Sequence, residues 1–156
     1  MPGRLKGLVG SWSGTEVSYV GSEVLIKSVA QAVPTYPMSC FKIPAEICKQ
    51  MKSTISNYWW SSSADNRHMH GQRWDHLTRP KRQGGMGFRV LPLLYLALLG
   101  KQGWRLMLKP DSLCARVLKG QCFPNTDFLS ATRKKHSSHT WRAILAGRDV
   151  LSKGLI

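Results

Sequence analysis

Carboxylates are scarce in this chain of 156 residues, which has 8 Asp and Glu against 23 Lys and Arg. No two acidic residues are adjacent, and none lie three or four positions apart, where one helix face would pair them. A two-metal centre or an acid–base carboxylate pair would therefore have to be assembled from distant positions. The sequence accordingly predicts no catalytic residues, no metal ligands and no cofactor.

Long apolar runs are also missing. The longest, from Leu91 to Leu99, contains Pro92 and is far shorter than the ~20 residues that cross a membrane. The first 14 residues lack the apolar centre of a secretory signal. We therefore expect an intracellular protein without a membrane span, with nucleus and organelle both open. The oligomeric state is not predicted.

Closely spaced cysteine pairs are absent as well. The four cysteines, at positions 40, 48, 114 and 122, form two C-x7-C pairs, whereas zinc sites use much shorter spacings. We expect reduced, inert thiols, with Cys114 and Cys122 packing as small hydrophobes. His68, His70 and His76 leave a metal site open, although a basic polar loop suits the neighbouring Ser, Asn and Gln better.

Positive charge and aromatic residues are what the chain does have. Its formal net charge is +15, far above the magnitude of about 2–8 that solubility alone requires. Apolar residues make up 42%, including six Trp, four Tyr and four Phe, which excludes a wholly disordered chain. The charge predicts a polyanionic partner, with nucleic acid favoured over an anionic membrane surface.

Apolar periodicity predicts a mainly α-helical fold, a small domain of four to six helices with long basic loops. Proline, serine and glycine at the ends of the apolar stripes set the expected boundaries. The expected helices cover residues 22–33, 44–60, 93–108, 113–119 and 140–152, with Ser22 as the first N-cap and Gly120 as a stop. In the first helix, Val24, Leu25 and Val29 are expected to face the core, with Lys27 and Gln31 on the other side.

Three segments lie mostly outside the expected helices. Residues 1–22 contain five glycines and are predicted to be an irregular N-terminal segment. Residues 33–43 are too rich in proline for a central strand, and residues 66–90 form a basic loop. Within that loop, Gly84, Gly85 and Gly87 lack the spacing of a phosphate-binding loop, and they indicate a tight turn with basic neighbours.

Several motifs, in order, carry a resemblance to a known family. They are EVLIKSVAQAVPTY at 23–36, MSCFKIP at 38–44, YWW at 58–60, Trp74, Pro80-Lys81, GGMGFR at 84–89, ALLGKQGWR at 97–105, CFPN at 122–125, Thr140-Trp141-Arg142 and Gly147-Arg148. These residues resemble the segment that follows the catalytic core of plant LINE-type (non-LTR) retroelement reverse transcriptases. The resemblance covers about residues 18–156, and residues 1–17 match the family least well.

The resemblance implies a thumb and linker region, over residues 23–156, of an RNA-directed DNA polymerase. It also implies that polymerisation belongs to a palm domain whose Asp-Asp motif binds two metal ions. No Asp-Asp pair occurs in this chain, so no residue here corresponds to that metal site. We therefore expect no polymerase activity from the chain alone. Two alternatives stay open: an accessory part of a polymerase whose palm is on another chain, and a non-functional pseudogene product.

A thumb-like role predicts non-specific binding to the backbone of RNA or an RNA–DNA hybrid, because such duplexes are held chiefly through their phosphates. The residues predicted to neutralise phosphates are Lys27, Lys42, Arg67, Arg73, Lys81, Arg82, Arg89, Lys101 and Arg105. Four tryptophans, at 59, 60, 74 and 104, are able to stack on bases, but their helical spacing favours packing in the core.

Overall fold

The computed structural model describes residues 2–12, 17–61, 71–133 and 137–154. In these ranges the chain forms eight α-helices and no β-strand, which confirms the mainly α fold. The helices are α1 (Pro2–Trp12), α2 (Tyr19–Leu25), α3 (Thr35–Cys40), α4 (Ala45–Trp60), α5 (Trp74–Leu77), α6 (Leu91–Leu108), α7 (Leu113–Cys122) and α8 (His139–Gly154). A π-helical segment, Ile26–Ala30, continues α2, and a 3-10 turn, Lys81–Gln83, follows α5.

The chain divides into two compact units. Unit 1 comprises Met1–Pro34 and Pro44–Pro92, and unit 2 comprises Thr35–Ile43 and Leu93–Ile156. The boundary therefore falls within the first turn of α6. More helices form than the four to six expected, because short helices occur inside segments that were expected to be irregular.

Helix α1 lies in the segment 1–22, where glycine content predicted irregular structure. Leu5 and Val9 are buried one turn apart, and the Trp12 ring packs edge-on against Tyr58 of α4 with centroids 5.5 Å apart. The glycines at 3, 7 and 10 have no atoms within 4 Å of the position that a Cβ would take. Each glycine costs about 0.5–1 kcal/mol in a helix, and burial of the apolar stripe against α4 offsets that cost.

The helix expected over residues 22–33 begins at a different residue in the structure, and it turns a different face toward the core. Its N-cap is Ser18, whose hydroxyl accepts from the Gly21 N–H at 3.2 Å, and not Ser22. The Gln31 N–H donates to the Ile26 carbonyl at 2.9 Å, five residues back, so the π segment contains an extra residue in its turn. The extra residue brings Gln31 to the same buried side as Ile26, and Val24, which was expected in the core, is 57% exposed.

Helix α3 forms in the proline-rich stretch, where the sequence argued only against a central strand. Pro37 is the third residue of the helix, within the first turn, where no backbone N–H needs an intrahelical partner. The Pro37 carbonyl accepts from the Phe41 N–H at 2.9 Å, so the proline contributes to the helix as an acceptor. Met38 of this helix is fully buried.

The expected helix over 44–60 is confirmed as α4. Pro44 occupies its N-cap position, and Cys48, Met51, Ile55 and Tyr58 are buried at three- and four-residue spacing. Ser56 is buried as well, but Lys49, Gln50, Ser53 and Asn57 are exposed, so this one helix provides both a core face and a polar face.

Unit 2 contains an aromatic core around Trp141 of α8. The Trp141 ring stacks on Phe123, with centroids 5.1 Å apart and planes 11° apart, and Phe128 approaches it edge-on. The segment after α7 therefore contributes core residues, and it is held to α8 by the Arg148 guanidinium, which donates to the carbonyls of Leu129 and Ala131. Helix α7 continues past Gly120 to Cys122, so glycine does not end it there.

All four cysteines are free thiols, as expected. Cys122 packs against the core of unit 2, whereas Cys114 is exposed, so the prediction that both pack as small hydrophobes is wrong for Cys114. Cys48 is buried in unit 1, and its burial raises the pKa of the thiol, which favours the inert neutral form.

Candidate nucleic-acid interface

An open hollow with a volume of about 410 Å³ lies between the polar face of α4 and the residues that lead into α5, all within unit 1. We refer to it as the cationic hollow. Its lining residues are Lys49, Lys52, Ser53, Ser56, Asn57, Gln72, Arg73 and Trp74. Three cations, together with hydroxyl and amide groups, therefore surround one concave surface.

The sequence of α4 explains this arrangement. Lys49, Lys52, Ser53 and Asn57 recur at the three- and four-residue spacing that places side chains on one helix face. The buried stripe of α4 occupies the other side, which fixes the direction in which the lysines point. Arg73 comes from the extended residue immediately before α5 and reaches the same hollow from a different part of the chain.

The two carboxylates nearest these lysines pair with them only weakly. Lys52 Nζ lies 3.2 Å from Asp75 Oδ1, and Lys49 Nζ lies 3.8 Å from Glu46 Oε2, and all four side chains are substantially exposed. Exposed pairs of this kind contribute about 0–1 kcal/mol. A phosphate entering the hollow would therefore displace these carboxylates at low cost.

Behind the hollow, aromatic rings form a packed cluster in unit 1. Trp74 stacks on Phe88 with centroids 5.3 Å apart and planes 14° apart, and Trp59 contacts Phe88 edge-on at the same distance. The Lys27 ammonium lies 5.8 Å from the Phe88 centroid, over the ring. Trp59 and Trp74 thus pack against other rings, as their spacing suggested, while Trp104 in unit 2 is 39% exposed.

Glu23 joins two of the predicted phosphate-binding lysines to each other. Its carboxylate Oε1 lies 2.6 Å from Lys27 Nζ and 2.8 Å from Lys81 Nζ, and the Glu23 side chain is 15% exposed. Hydrogen bonds from Lys27 and then Lys81 lower the pKa of Glu23 from its ordinary value, despite an opposing contribution from burial. This ion triad connects the π segment to the 3-10 turn after α5.

The Glu23→Gln variant is expected to lose stability at neutral pH, by about 1 kcal/mol or less, because exposure and solvent screening limit each pair. Since the folded pKa lies below the unfolded value of about 4.3, this stabilisation is present above that value and is lost as pH falls through the folded pKa. Urea unfolding at pH 7 and at successively lower pH, until Glu23 is protonated in the folded chain, measures the loss of stability in the variant. The difference from the unaltered chain should disappear in acid, and a difference that persisted would contradict the ionic origin. Glu46→Gln, at an exposed pair, is the matched control.

The glycine-rich turn after α5 is a tight turn, as predicted. The N–H groups of Gly84 and Gly85 donate to the carbonyls of Lys81 and Pro80, that of Gly87 donates to Arg79, and those of Met86 and Phe88 donate to Leu77. Gly84 and Gly87 have φ angles of 78° and 69°, which favour glycine. Because its amides are already bonded within the chain, this turn offers no set of free N–H groups for a phosphate.

The nine predicted phosphate-binding residues are distributed over both units. Unit 1 holds Lys27, Arg73, Lys81, Arg82 and Arg89, and unit 2 holds Lys42, Lys101 and Arg105. Arg67 lies outside the described residues, as do His68 and His70. Among the residues that the structure describes, no group of three or more His, Cys, Asp or Glu side chains is placed to hold a metal ion.

Of the eight predicted residues that the structure describes, Arg73 is the one that lines the cationic hollow, where it joins Lys49 and Lys52. The two α4 lysines were not included in the predicted set. The signal was present in the sequence, because they share a helix face with Ser53 and Asn57. What the sequence did not contain was the approach of Arg73, 21 positions after Lys52 in the chain, to that face.

A smaller hollow, of about 270 Å³, borders the cationic one in unit 1, and we refer to it as the apolar hollow. Its lining residues are Ala45, Cys48, Lys49, Lys52, Ile55, Trp74, Asp75, Thr78, Arg89, Val90, Leu91 and Pro92. The fold and these hollows define a mainly α, strongly basic chain with a positively charged concavity beside an apolar one.

Comparison with known proteins identifies relatives in one plant. The chain is 36% identical over 126 residues to "Uncharacterized mitochondrial protein AtMg00310" of Arabidopsis thaliana, a match that covers 80% of this chain and 82% of the relative. The chain belongs to the same family as that protein. It is also 30% identical over 155 residues to "Putative ribonuclease H protein At1g65750" of the same plant, covering 97% of this chain but only 25% of that relative's length.

No protein-family model matches the chain. No solved structure matches it either. Among the helices in the described residues, none is both long and apolar enough to cross a membrane.

Proposed function

We propose that this chain binds the phosphate backbone of RNA or an RNA–DNA hybrid without sequence specificity. The cationic hollow carries the proposal, because Lys49, Lys52 and Arg73 converge there in a chain with a net charge of +15. Lysine and arginine side chains contact phosphates without reading bases, so a hollow with this lining supplies affinity and little sequence information. The proposal places the chain in a compartment that contains nucleic acid.

We further propose that the chain derives from a retroelement reverse transcriptase, with residues 23–156 equivalent to its thumb and linker region. The ordered motifs described above support this origin. The longer relative adds support, because a stretch equivalent to nearly all of this chain occupies a quarter of a protein named for ribonuclease H activity. A ribonuclease H name denotes action on RNA, which is consistent with RNA as the polyanion.

The salt dependence of binding tests the backbone proposal. The logarithm of the association constant for an RNA–DNA hybrid should fall steeply with the logarithm of the salt concentration. On a B-form duplex the slope is about −0.9 for each phosphate neutralised, and we expect a similar value for the hybrid. A flat plot would contradict the proposal. Fluorescence anisotropy with a labelled hybrid is a suitable measurement.

A triple variant locates the interface. Lys49→Gln, Lys52→Gln and Arg73→Gln together should weaken binding and reduce the magnitude of the salt slope by about 3, since each phosphate-contacting cation contributes about 1.

The matched control for this variant removes three exposed charges of unit 2, with Lys109→Gln, Arg116→Gln and Lys119→Gln. Both triple variants have the same net charge, so long-range attraction changes equally in the two. If the control lost as much of the slope as the hollow variant, the cationic hollow would not be the interface.

A further inference from the structure

The apolar hollow is chemically suited to a flat ring. Ile55 and Leu91 are buried, and Val90, Pro92 and one edge of Trp74 complete a mostly hydrocarbon lining. Cys48, also buried, adds a neutral thiol, since burial raises its pKa. Polar atoms come from Asp75, Thr78, Arg89 and the two α4 lysines.

The apolar hollow borders the cationic hollow, and Lys49, Lys52 and Trp74 line both. A ligand that filled both hollows would place anionic groups among Lys49, Lys52 and Arg73, and an uncharged ring system beyond Trp74. A nucleotide unit of a polynucleotide has this combination, with a phosphate linked through a sugar to an aromatic base. Neither hollow alone indicates a nucleotide, because cations bind any anion and an apolar hollow binds any hydrocarbon group of suitable size.

We infer that an unstacked base of a single-stranded nucleic acid enters the apolar hollow, while its neighbouring phosphates bind Lys49, Lys52 and Arg73. This inference rests on the proposed function and specifies the form of nucleic acid that the site prefers. A base within a duplex is stacked on both faces and paired at its edge, so only an unpaired nucleotide reaches such a hollow without disrupting the helix.

The lining also predicts tolerance of base identity. The Thr78 hydroxyl already donates to the Asp75 carbonyl at 2.9 Å, so it is engaged within the chain. The Asp75 carboxylate is 83% exposed and only weakly paired with Lys52, and the Arg89 side chain is also exposed, so neither provides a fixed contact to a base edge. Apolar contact with the ring therefore dominates, and every base has a ring face that satisfies it.

The rigidity of the aromatic cluster supports the inference. Phe88 is 2% exposed and stacks on Trp74, so the indole that lines both hollows is fixed by packing. A ring entering the apolar hollow thus meets a surface that is already in place, and binding does not require Trp74 to be ordered first.

An abasic strand tests the inference on the unaltered chain. We compare a single-stranded oligonucleotide with a strand of equal length that carries the same sugars and phosphates but no bases. The strand with bases should bind about tenfold more tightly or better, in line with about 1–3 kcal/mol for each base in contact with protein. Equal affinities would overturn the inference yet leave backbone binding intact, whereas no binding of either strand at low salt would overturn the proposed function as well.

A variant that fills the apolar hollow tests whether the preference for a strand with bases arises there. Ala45 is exposed in the first turn of α4 and lines the apolar hollow, so Ala45→Phe should occupy it with little effect on the core. We expect this variant to bind the strand with bases only as tightly as the unaltered chain binds the abasic strand. Its affinity for the abasic strand and its salt slope should stay unchanged.

The matched control is Gln50→Phe, which adds the same ring at an exposed position of α4 that lines neither hollow. This control should keep the tenfold preference for bases. A loss of preference in both variants, or in neither, would overturn the assignment to the apolar hollow. Because the abasic comparison needs no variant, the inference stays falsifiable even if Ala45→Phe were poorly folded.

Discussion

The Gly147→Ala variant is expected to be destabilised by about 3 kcal/mol, which lowers Tm by roughly 6–12 °C for a chain of this size. A Cβ at Gly147 of α8 would lie 2.3 Å from the Gly100 nitrogen and 2.5 Å from the Leu99 carbonyl carbon, both backbone atoms of α6. Backbone atoms cannot rotate away as a flexible side chain does. The two helices would have to separate, and the packing around their crossing would be lost.

Gly120→Ala is the matched control for this prediction. Gly120 lies within α7, and nothing is within 4 Å of the position that its Cβ would take. Alanine there should be neutral or stabilising by up to about 1 kcal/mol, because it removes the entropic cost of glycine in a helix. Thermal unfolding followed by circular dichroism measures both variants. Equal Tm values for the two would show that the close helix approach is not required for stability.

The second large effect is expected at Phe88, in the aromatic cluster of unit 1. Phe88→Ala should cost about 3–5 kcal/mol, because the ring is buried and contacts Trp59, Trp74 and the Lys27 ammonium. The variant should also weaken nucleic-acid binding, since Trp74 would lose the ring that holds it between the two hollows. Urea unfolding and anisotropy on the same samples measure the two effects.

Tyr19→Ala is the control for Phe88→Ala, because it removes an aromatic contact without removing a buried ring. Tyr19 approaches Trp59 edge-on, with centroids 6.2 Å apart, but is 70% exposed. Its removal should therefore cost less than about 1 kcal/mol. If Tyr19→Ala and Phe88→Ala had equal effects, the cluster around Phe88 would not be the core of unit 1.

Helices with clear stripes and clear ends were predictable from the sequence. Met51 and Ile55 repeat at four residues after Pro44, and α4 forms where that pattern predicts. Ser112 is the N-cap of α7, and its hydroxyl accepts from the Ala115 N–H at 3.3 Å. Such features are predictable because they depend on residues within one or two turns of each other.

Helix α1 and the start of the π segment were not predictable in the same way. Local composition disfavours α1, and only the burial of Leu5 and Val9 against other parts of unit 1 favours it. The π segment contains one additional residue in its turn, which moves Gln31 from the expected polar face into the interior. A pattern read at 3.6 residues per turn cannot locate that change, because it comes from packing and not from the spacing itself.

The amino-acid sequence by itself determined the helical class, the excess of positive charge and the ends of the strongly patterned helices, since all three follow from composition or from neighbours along the chain. The tertiary structure alone decided which cations lie close together. It brings Arg73 to the α4 lysines, engages Lys27 and Lys81 with Glu23, and places an apolar hollow beside the cationic one. Those relations join residues far apart in sequence, and their distances are set by how the helices and turns pack.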